Sequence, residues 1–95
     1  MFLINLTYIK PLTIIEKYLP EHINYLDKYY DKQQFIFSGR KEPRTGGIIL
    51  CKAASMDETE KIYHQDPFYQ NNVATYEIIE FHPNKYSDDF SKIIN

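Results

Sequence analysis

A chain of 95 residues with 25% charged and 43% hydrophobic residues has the composition of one folded domain, which argues against a disordered or fibrous chain. Its net charge of −2, with acids and bases interspersed, offers little attraction to a phosphate backbone, so no nucleic-acid partner is expected. Cys51 is the single cysteine and cannot form an internal disulfide. The N-terminal segment is only briefly apolar and lacks a basic region and a cleavage site, so we expect a cytoplasmic protein without a membrane partner.

The first predicted element is a β-strand. In "FLINLTYI", residues Phe2, Ile4, Leu6 and Tyr8 alternate onto one face, and β-branched residues support the assignment. Pro11 marks the end of this strand.

The second predicted element is a long helix that carries a histidine on its apolar face. The segment "LTIIEKYLPEHINYLDKYYDK" repeats at helical period, and His22 lies in the middle of the apolar side. Its apolar neighbours on the helical wheel are Ile15, Leu19, Leu26 and Tyr29. Pro20 falls on the polar side, where it either kinks the helix or begins a second helical segment, and the sequence leaves both possibilities open.

The rest of the chain predicts a hairpin, a short helix and a last strand. "QFIFSG" and "GGIILCKA" are typical of two strands, joined by the loop "RKEPRT". "SMDETEKIYHQ" begins with Ser55 and Glu58 at the spacing of a capping box, and Asp66 before Pro67 is expected to end this helix. "VATYEIIEFHP" is the last strand, closed by Pro83.

The predicted order of elements is βαββαβ, a ferredoxin-like α+β fold with four antiparallel strands and both helices on one face of the sheet. We expect one domain over residues 1–83, followed by a C-terminal tail over 84–95.

Both faces of the predicted hairpin are apolar, and two helices on one side of the sheet cannot cover both faces. The pattern is an alternation of Phe35 and Phe37 with Ile36, and of Ile48 and Leu50 with Ile49 and Cys51. An exposed apolar face of this extent usually marks an interface, so we expect a homodimer with the two sheets face to face.

Three segments of the chain carry a family resemblance. They are "PEHINYLDKYYDKQQFIFSG", "TGGIILCKA" and "QDPFYQNNVATYEIIEF", and they resemble the YciI-like (YCII-related) family. The shared features are a His in the first helix, a Ser-Gly after the second strand, a third strand that begins with glycine, and an Asp-Pro-Phe/Tyr element. The resemblance covers nearly the whole chain except the last dozen residues. It implies a dimeric α+β barrel of ferredoxin-like subunits with an active site around a His-Asp dyad.

The resemblance also implies roles for individual residues. His22 and Asp66 correspond to the dyad, Ser38 and Gly39 to the strand end, and Pro67 and Phe68 to residues that shape the site. The family often has Ser-Gly-Pro, and this chain has arginine at the third position, residue 40, so the loop after Gly39 departs from the pattern.

The dyad has a clear chemical rationale. A histidine titrates near neutrality, so when it is held against a carboxylate it can accept and return a proton at cytoplasmic pH. The alternative is that His22 is a core histidine that bonds to Asp66 only to satisfy its ring nitrogens. The residues alone favour this structural alternative, and the family resemblance favours the dyad.

Other polar residues provide candidate ligand contacts. Arg40, Lys41 and Arg44 lie in one loop and could bind a carboxylate or phenolate, although such a group is more often a solvated loop. Ser38 could orient a substrate oxygen or serve only as a strand-end hydroxyl. The three histidines lack metal-ligand spacing and no glycine-rich phosphate loop is present, so neither a metal nor a nucleotide cofactor is implied.

These observations predict a homodimer in which His22 and Asp66 perform acid-base chemistry, by elimination or isomerisation, on a small cyclic or aromatic metabolite. Ser38, Gly39, Arg44, Pro67 and Phe68 are the expected substrate-binding residues. The alternatives are a non-catalytic, metabolite-binding dimer and a purely structural dimer.

Overall fold

Four strands form the sheet of the computed structural model, which describes residues 1–94. They are β1 (Phe2–Tyr8), β2 (Phe35–Arg40), β3 (Gly46–Cys51) and β4 (Ala74–Glu80). All pairings are antiparallel and the strand order is β2-β3-β1-β4. This order and the helical connections confirm the predicted ferredoxin-like α+β fold.

The described residues contain four helices: α1 (Leu12–Asp31), α2 (Met56–Tyr63), α3 (Pro67–Gln70) and α4 (Asp88–Ile94). Pro20 lies on the exposed side of α1, which continues through it, so no second helical segment begins there. At the start of α2, Ser55 accepts a hydrogen bond from the Glu58 amide, as predicted. The Glu58 carboxylate accepts from the Ala54 amide. None of the helices within residues 1–94 combines the length and apolar character needed to cross a bilayer.

The core lies between the sheet and α1. Phe2, Ile4 and Leu6 of β1 are buried on one face of the sheet, in line with the predicted alternation. Cys51 is also buried, and desolvation, with the nearby Glu58 charge second, raises the pKa of its thiol to about 12. It is therefore a protonated core residue. Strand packing is tight at Gly46, where a Cβ would overlap the Leu6 carbonyl oxygen.

The alternation predicted for the second strand is wrong at one point. Phe35 pairs with Cys51 and Phe37 with Leu50, so Ile36 is an extra residue in a β-bulge. As a result Phe35 is buried in the core, while Phe37 is 51% exposed on the opposite face. The bulge also reverses the direction of the side chains that follow it in β2.

The sequence predicted that Asp66 ends the second helix, and this prediction is wrong. Helix α2 ends at Tyr63, and Asp66 is instead the N-cap of the separate helix α3, with Pro67 at the first helical position. Its carboxylate accepts a hydrogen bond from the Phe68 amide. Because α3 is only one turn long, the periodicity of the sequence does not reveal it.

The tail contains α4, which the sequence patterning does not predict either. Phe90 of this helix lines a cavity of about 530 Å³ together with three residues of the sheet face opposite α1, namely Leu3, Phe37 and Leu50. The Lys52 ammonium donates to the Ile93 carbonyl. The tail therefore lies against part of the sheet face that the sequence left uncovered.

Candidate functional site: a buried histidine-aspartate pair beside a cavity

His22 and Asp66 form a buried pair. His22 Nδ1 lies 2.8 Å from Asp66 Oδ1, across 44 residues of sequence. His22 is 8% exposed and Asp66 is 0% exposed. The pair forms because α1 turns His22 inward, while the N-cap geometry of α3 holds the Asp66 carboxylate beneath α1.

Three donors surround the Asp66 carboxylate. Besides His22, the Phe68 amide donates to Oδ1 at 2.9 Å, and the Tyr76 hydroxyl donates to Oδ2 at 2.6 Å. Burial, followed by the charge and hydrogen bond of Asp66, raises the pKa of Tyr76, so its hydroxyl keeps its proton. This is the arrangement expected for an ionised carboxylate, which can only accept hydrogen bonds.

The pair thereby defines which nitrogen of His22 is available. If Asp66 is an acceptor, Nδ1 must carry the proton that lies between the two residues, and in the neutral ring Nε2 then holds the free lone pair. Among residues 1–94, Nε2 has no hydrogen-bond partner, and it retains some solvent exposure. A basic nitrogen is therefore left open on the side away from Asp66.

An aromatic side chain fixes the plane of the imidazole. The Phe68 ring stacks on it with centroids 4.1 Å apart and an interplanar angle of 9°. Phe68 is itself 1% exposed and lies next to the Asp66 cap. One short helix thus supplies both the acceptor for Nδ1 and the surface on which the ring rests.

A cavity of about 250 Å³ adjoins His22. Its wall is formed by α1, β1, β2, β3 and the loop between β2 and β3, and includes His22, Leu26, Ser38, Arg40, Arg44 and Gly47. Asp66 is not part of this wall. The histidine therefore separates the buried carboxylate from the space a ligand would fill.

The bulge in β2 brings two polar side chains to this cavity. After the bulge, Ser38 pairs with Ile49 and Arg40 with Gly47, which places both on the same sheet face as buried Leu6. Regular alternation from Phe35 would have turned them to the opposite face. Ser38 also shares a 2.6 Å hydrogen bond with Tyr30.

The structure brings together some of the predicted site residues and not others. His22, Ser38, Gly39 and Arg44 line the cavity. A Cβ at Gly39 would meet nothing within 4 Å, so the space there does not require glycine. Lys41, which follows Arg40 at the end of β2, donates instead to the Thr7 hydroxyl.

Pro67 and Phe68 lie behind His22 and are absent from the described cavity wall. Their expected part in binding a substrate stays a prediction. In this structure they act on the histidine, because Pro67 begins the helix whose Phe68 ring supports the imidazole.

Sequence reasoning missed the role of Tyr76 completely. The alternation in β4 indicates that Tyr76 and Ile78 share a face, and the register with Leu6 and Ile4 shows that this face is the core side. The contact between Tyr76 and Asp66 depends on that register and on the position of α3. No local pattern in the sequence contains this information.

Within residues 1–94, no group of three or more His, Cys, Asp or Glu side chains is arranged to hold a metal ion.

The fold and the pair define a ferredoxin-like α+β domain with a buried histidine and aspartate beside a small cavity. A family model described as the YCII-related domain matches residues 1–82, and the chain belongs to this family. A search of curated proteins gives no match.

Among solved structures, the chain is similar to 5-chloro-2-hydroxyhydroquinone dehydrochlorinase (TftG) from Burkholderia phenoliruptrix AC1100, in complex with 2,5-dihydroxybenzoquinone. The TM-score is 0.72 at 18% sequence identity, and the match covers 86% of this chain and 94% of the other. At this identity the similarity supports the fold.

Proposed function

We propose that the protein is a small-molecule enzyme that uses His22 as a general acid-base group on a cyclic or aromatic metabolite. The observation that carries the proposal is the 2.8 Å contact of Nδ1 with buried Asp66, which leaves Nε2 open beside a cavity. A positioned histidine of this kind typically contributes about 10²–10⁴-fold to a rate. The proposal includes a cytoplasmic location, an expectation from the sequence.

The proposed chemistry is proton transfer. Nε2 accepts a proton from a ring carbon or ring hydroxyl, and Asp66 stabilises the imidazolium that forms, since its carboxylate already faces Nδ1. Returning the proton to another atom of the ring gives an isomerisation. Departure of a leaving group with its bonding electrons gives an elimination, after which His22 releases the proton to solvent.

The similar solved structure supports an elimination. That protein is a dehydrochlorinase and was captured with a dihydroxylated quinone, a single six-membered ring. The 250 Å³ cavity is slightly smaller than the ~300–1,000 Å³ usual for drug-sized ligands, so it suits a ligand of about one ring.

We also propose that the protein is a homodimer through the sheet face opposite α1. Phe37 is 51% and Ile79 is 45% exposed on this face. Exposed apolar side chains grouped on one face of a sheet usually mark an interface. Sedimentation velocity should give a dimer for wild type and a monomer for Ile79→Lys.

One observation favours a second candidate, a non-catalytic module that binds a metabolite. His22 is nearly buried, and a buried histidine needs a partner such as Asp66 whether or not it reacts. In that case the cavity retains a ligand without changing it.

Turnover assays on variants of His22 separate the two candidates. We would incubate wild type and His22→Gln with chlorinated and unchlorinated hydroxyquinols, hydroxybenzoquinones and ring lactones, and follow chloride release and ultraviolet spectra. The enzyme proposal predicts turnover of at least one compound and a loss of about 100-fold or more in His22→Gln. Asn24→Asp, an exposed change on α1, is the control.

Thermal unfolding with each compound completes the test. A ligand that raises the melting temperature of wild type without being converted supports the binding module. Equal turnover in wild type and in a folded His22→Gln variant contradicts the catalytic role of His22.

A further inference from the structure

The cavity wall has an unbalanced positive charge. It carries the guanidinium groups of Arg40 and Arg44 and no carboxylate from the described residues. Within residues 1–94, Arg40 makes no ion pair, and Arg44 makes one, to Glu16, at 3.3 Å. The Glu16 side chain is 58% exposed and the contact exceeds the ~2.7–2.9 Å of strong charge-assisted bonds, so it offsets little of the charge.

The deeper part of the same cavity is apolar. Leu6, Leu19, Leu26 and Ile49 contribute to its wall. Gly47 lies between Leu6 and Arg40 in the pairing of the strands and is part of the same wall. An apolar interior below a cationic rim suits a ligand whose ring is apolar and whose anionic group is at one end.

We propose that the ligand of this cavity is a small ring compound with a carboxylate group, and that Arg40 and Arg44 bind the carboxylate. The inference rests on the proposed function, because it concerns the substrate class of the same site. A guanidinium presents a planar pair of donors that matches the two oxygens of a carboxylate, which a lysine ammonium does not. With the carboxylate at the arginines, the ring extends inward along the wall that contains His22.

The three cations at the end of β2 and in the loop that follows it have different roles. Arg40 is the principal anchor, because the bulge in β2 directs it to the cavity and no carboxylate within residues 1–94 pairs with it. Arg44 is shared, since Glu16 competes with the ligand for its guanidinium. Lys41 is directed to Thr7 and does not line the cavity, so it serves as a matched control with the same charge at the position next to Arg40.

Isothermal titration calorimetry on matched acids and amides tests the proposal. The probes are benzoate, 4-hydroxybenzoate and 2,5-dihydroxybenzoate, each compared with its benzamide, which has the same shape without the charge. We expect wild type to bind at least one acid about tenfold or more tightly than its amide. Arg40→Gln should remove that preference, and Lys41→Gln should retain it within about twofold. Glu16→Gln should strengthen acid binding by a few fold, since Arg44 loses its competing carboxylate.

Several outcomes would overturn the proposal. The first is equal affinity for acids and amides, and the second is absence of binding by every acid at millimolar concentration. The third is an equal loss of the preference for acids in Lys41→Gln and Arg40→Gln, which would indicate only a diffuse positive field. Circular dichroism of each variant shows whether it is folded, and Arg40→Lys, which keeps the charge without the planar donors, replaces Arg40→Gln if that variant unfolds. The same titrations on His22→Gln separate this proposal from the catalytic one, because the preference for acids should survive there while turnover is lost.

Discussion

The helix side of the cavity and its strand side hold their polar groups in different ways. On the helix side, which we call the helix wall, His22 is bonded to Asp66, and Asp66 in turn accepts from Phe68 and Tyr76. On the strand wall, formed by Ser38, Arg40 and Arg44, the arginines have one long contact to an exposed glutamate among the described residues.

The two walls meet two different requirements of a reactive site. A general base must have a fixed orientation and tautomer before the ligand arrives, and buried protein partners provide both. Ligand-binding charges must instead have unused donors, since donors already paired to the protein would have to be released. The helix wall should therefore contribute to the free energy of unfolding, and the strand wall should contribute mainly to ligand affinity.

Removing the Asp66 carboxylate should have the largest effect on stability. Asp66→Ala leaves three buried donors, from His22, Phe68 and Tyr76, without an acceptor, and each unsatisfied group costs about 1–3 kcal/mol. We expect the free energy of unfolding in urea to fall by about 3 kcal/mol or more. Asp27→Ala, at an exposed position of α1, should change it by less than about 0.5 kcal/mol. Equal stability of the two variants would mean that the network does not stabilise the fold.

High pH should weaken the fold through the buried tyrosines. Burial, with the Asp66 charge second, raises the pKa of both Tyr25 and Tyr76 above their ordinary value. Their contribution to stability is complete below about pH 10 and falls above it, because the unfolded chain then loses phenolic protons that the folded protein keeps. The expected slope is about 1.4 kcal/mol per pH unit for each tyrosine.

Urea unfolding at several alkaline pH values measures this slope, and tyrosinate absorbance shows when each group ionises. Two tyrosines should ionise only as the protein unfolds. If all nine tyrosines ionise in the folded state near pH 10, the assignment of Tyr76 as a permanent donor is wrong.

A milder disturbance of the helix wall is the loss of one hydroxyl. Tyr76→Phe removes the 2.6 Å hydrogen bond to Asp66 Oδ2 and leaves that oxygen without this donor. Because the acceptor is charged, we expect a loss of about 1.5–2 kcal/mol in the free energy of unfolding. Tyr86→Phe, in the exposed tail, is the matched control and should be near neutral. A neutral Tyr76→Phe would show that the hydroxyl has no role in holding Asp66.

The strand wall should show the smallest effect on stability. Arg40→Gln and Lys41→Gln should each change the free energy of unfolding by less than about 0.5 kcal/mol, because neither cation forms an ion pair within residues 1–94. Urea unfolding in parallel checks both. A loss above 1 kcal/mol in Arg40→Gln would place Arg40 among the groups that hold the fold together.

The sequence predicts the fold and half of the site for identifiable physical reasons. The strand of Phe2, Ile4 and Leu6 and the helix around His22 have clear periods of 2 and 3.6, and these periods set which side faces the core. The connection between His22 and Asp66 came from the family resemblance, because contacts across 44 residues depend on tertiary packing.

Features that depend on an irregularity were not predictable from periodicity. The bulge at Ile36 adds one residue to β2, and a shift of one residue exchanges the faces of every side chain after it, including Ser38 and Arg40. A single-turn helix such as α3 is too short to show a helical period. The proposed site depends on both irregularities, since the bulge directs Arg40 to the cavity and α3 holds His22.

The most direct test of this account is the tautomer of His22 in the folded protein. Long-range ¹H–¹⁵N NMR of uniformly labelled protein distinguishes the two ring nitrogens of each histidine, and His22→Gln identifies the signals of His22. We predict that neutral His22 carries its proton on Nδ1, facing Asp66, and that a bound ring acid shifts the Nε2 signal more than the Nδ1 signal. A neutral His22 protonated on Nε2, or an Nε2 signal that no ligand changes, would contradict the claim that the helix wall presents a basic nitrogen to the cavity.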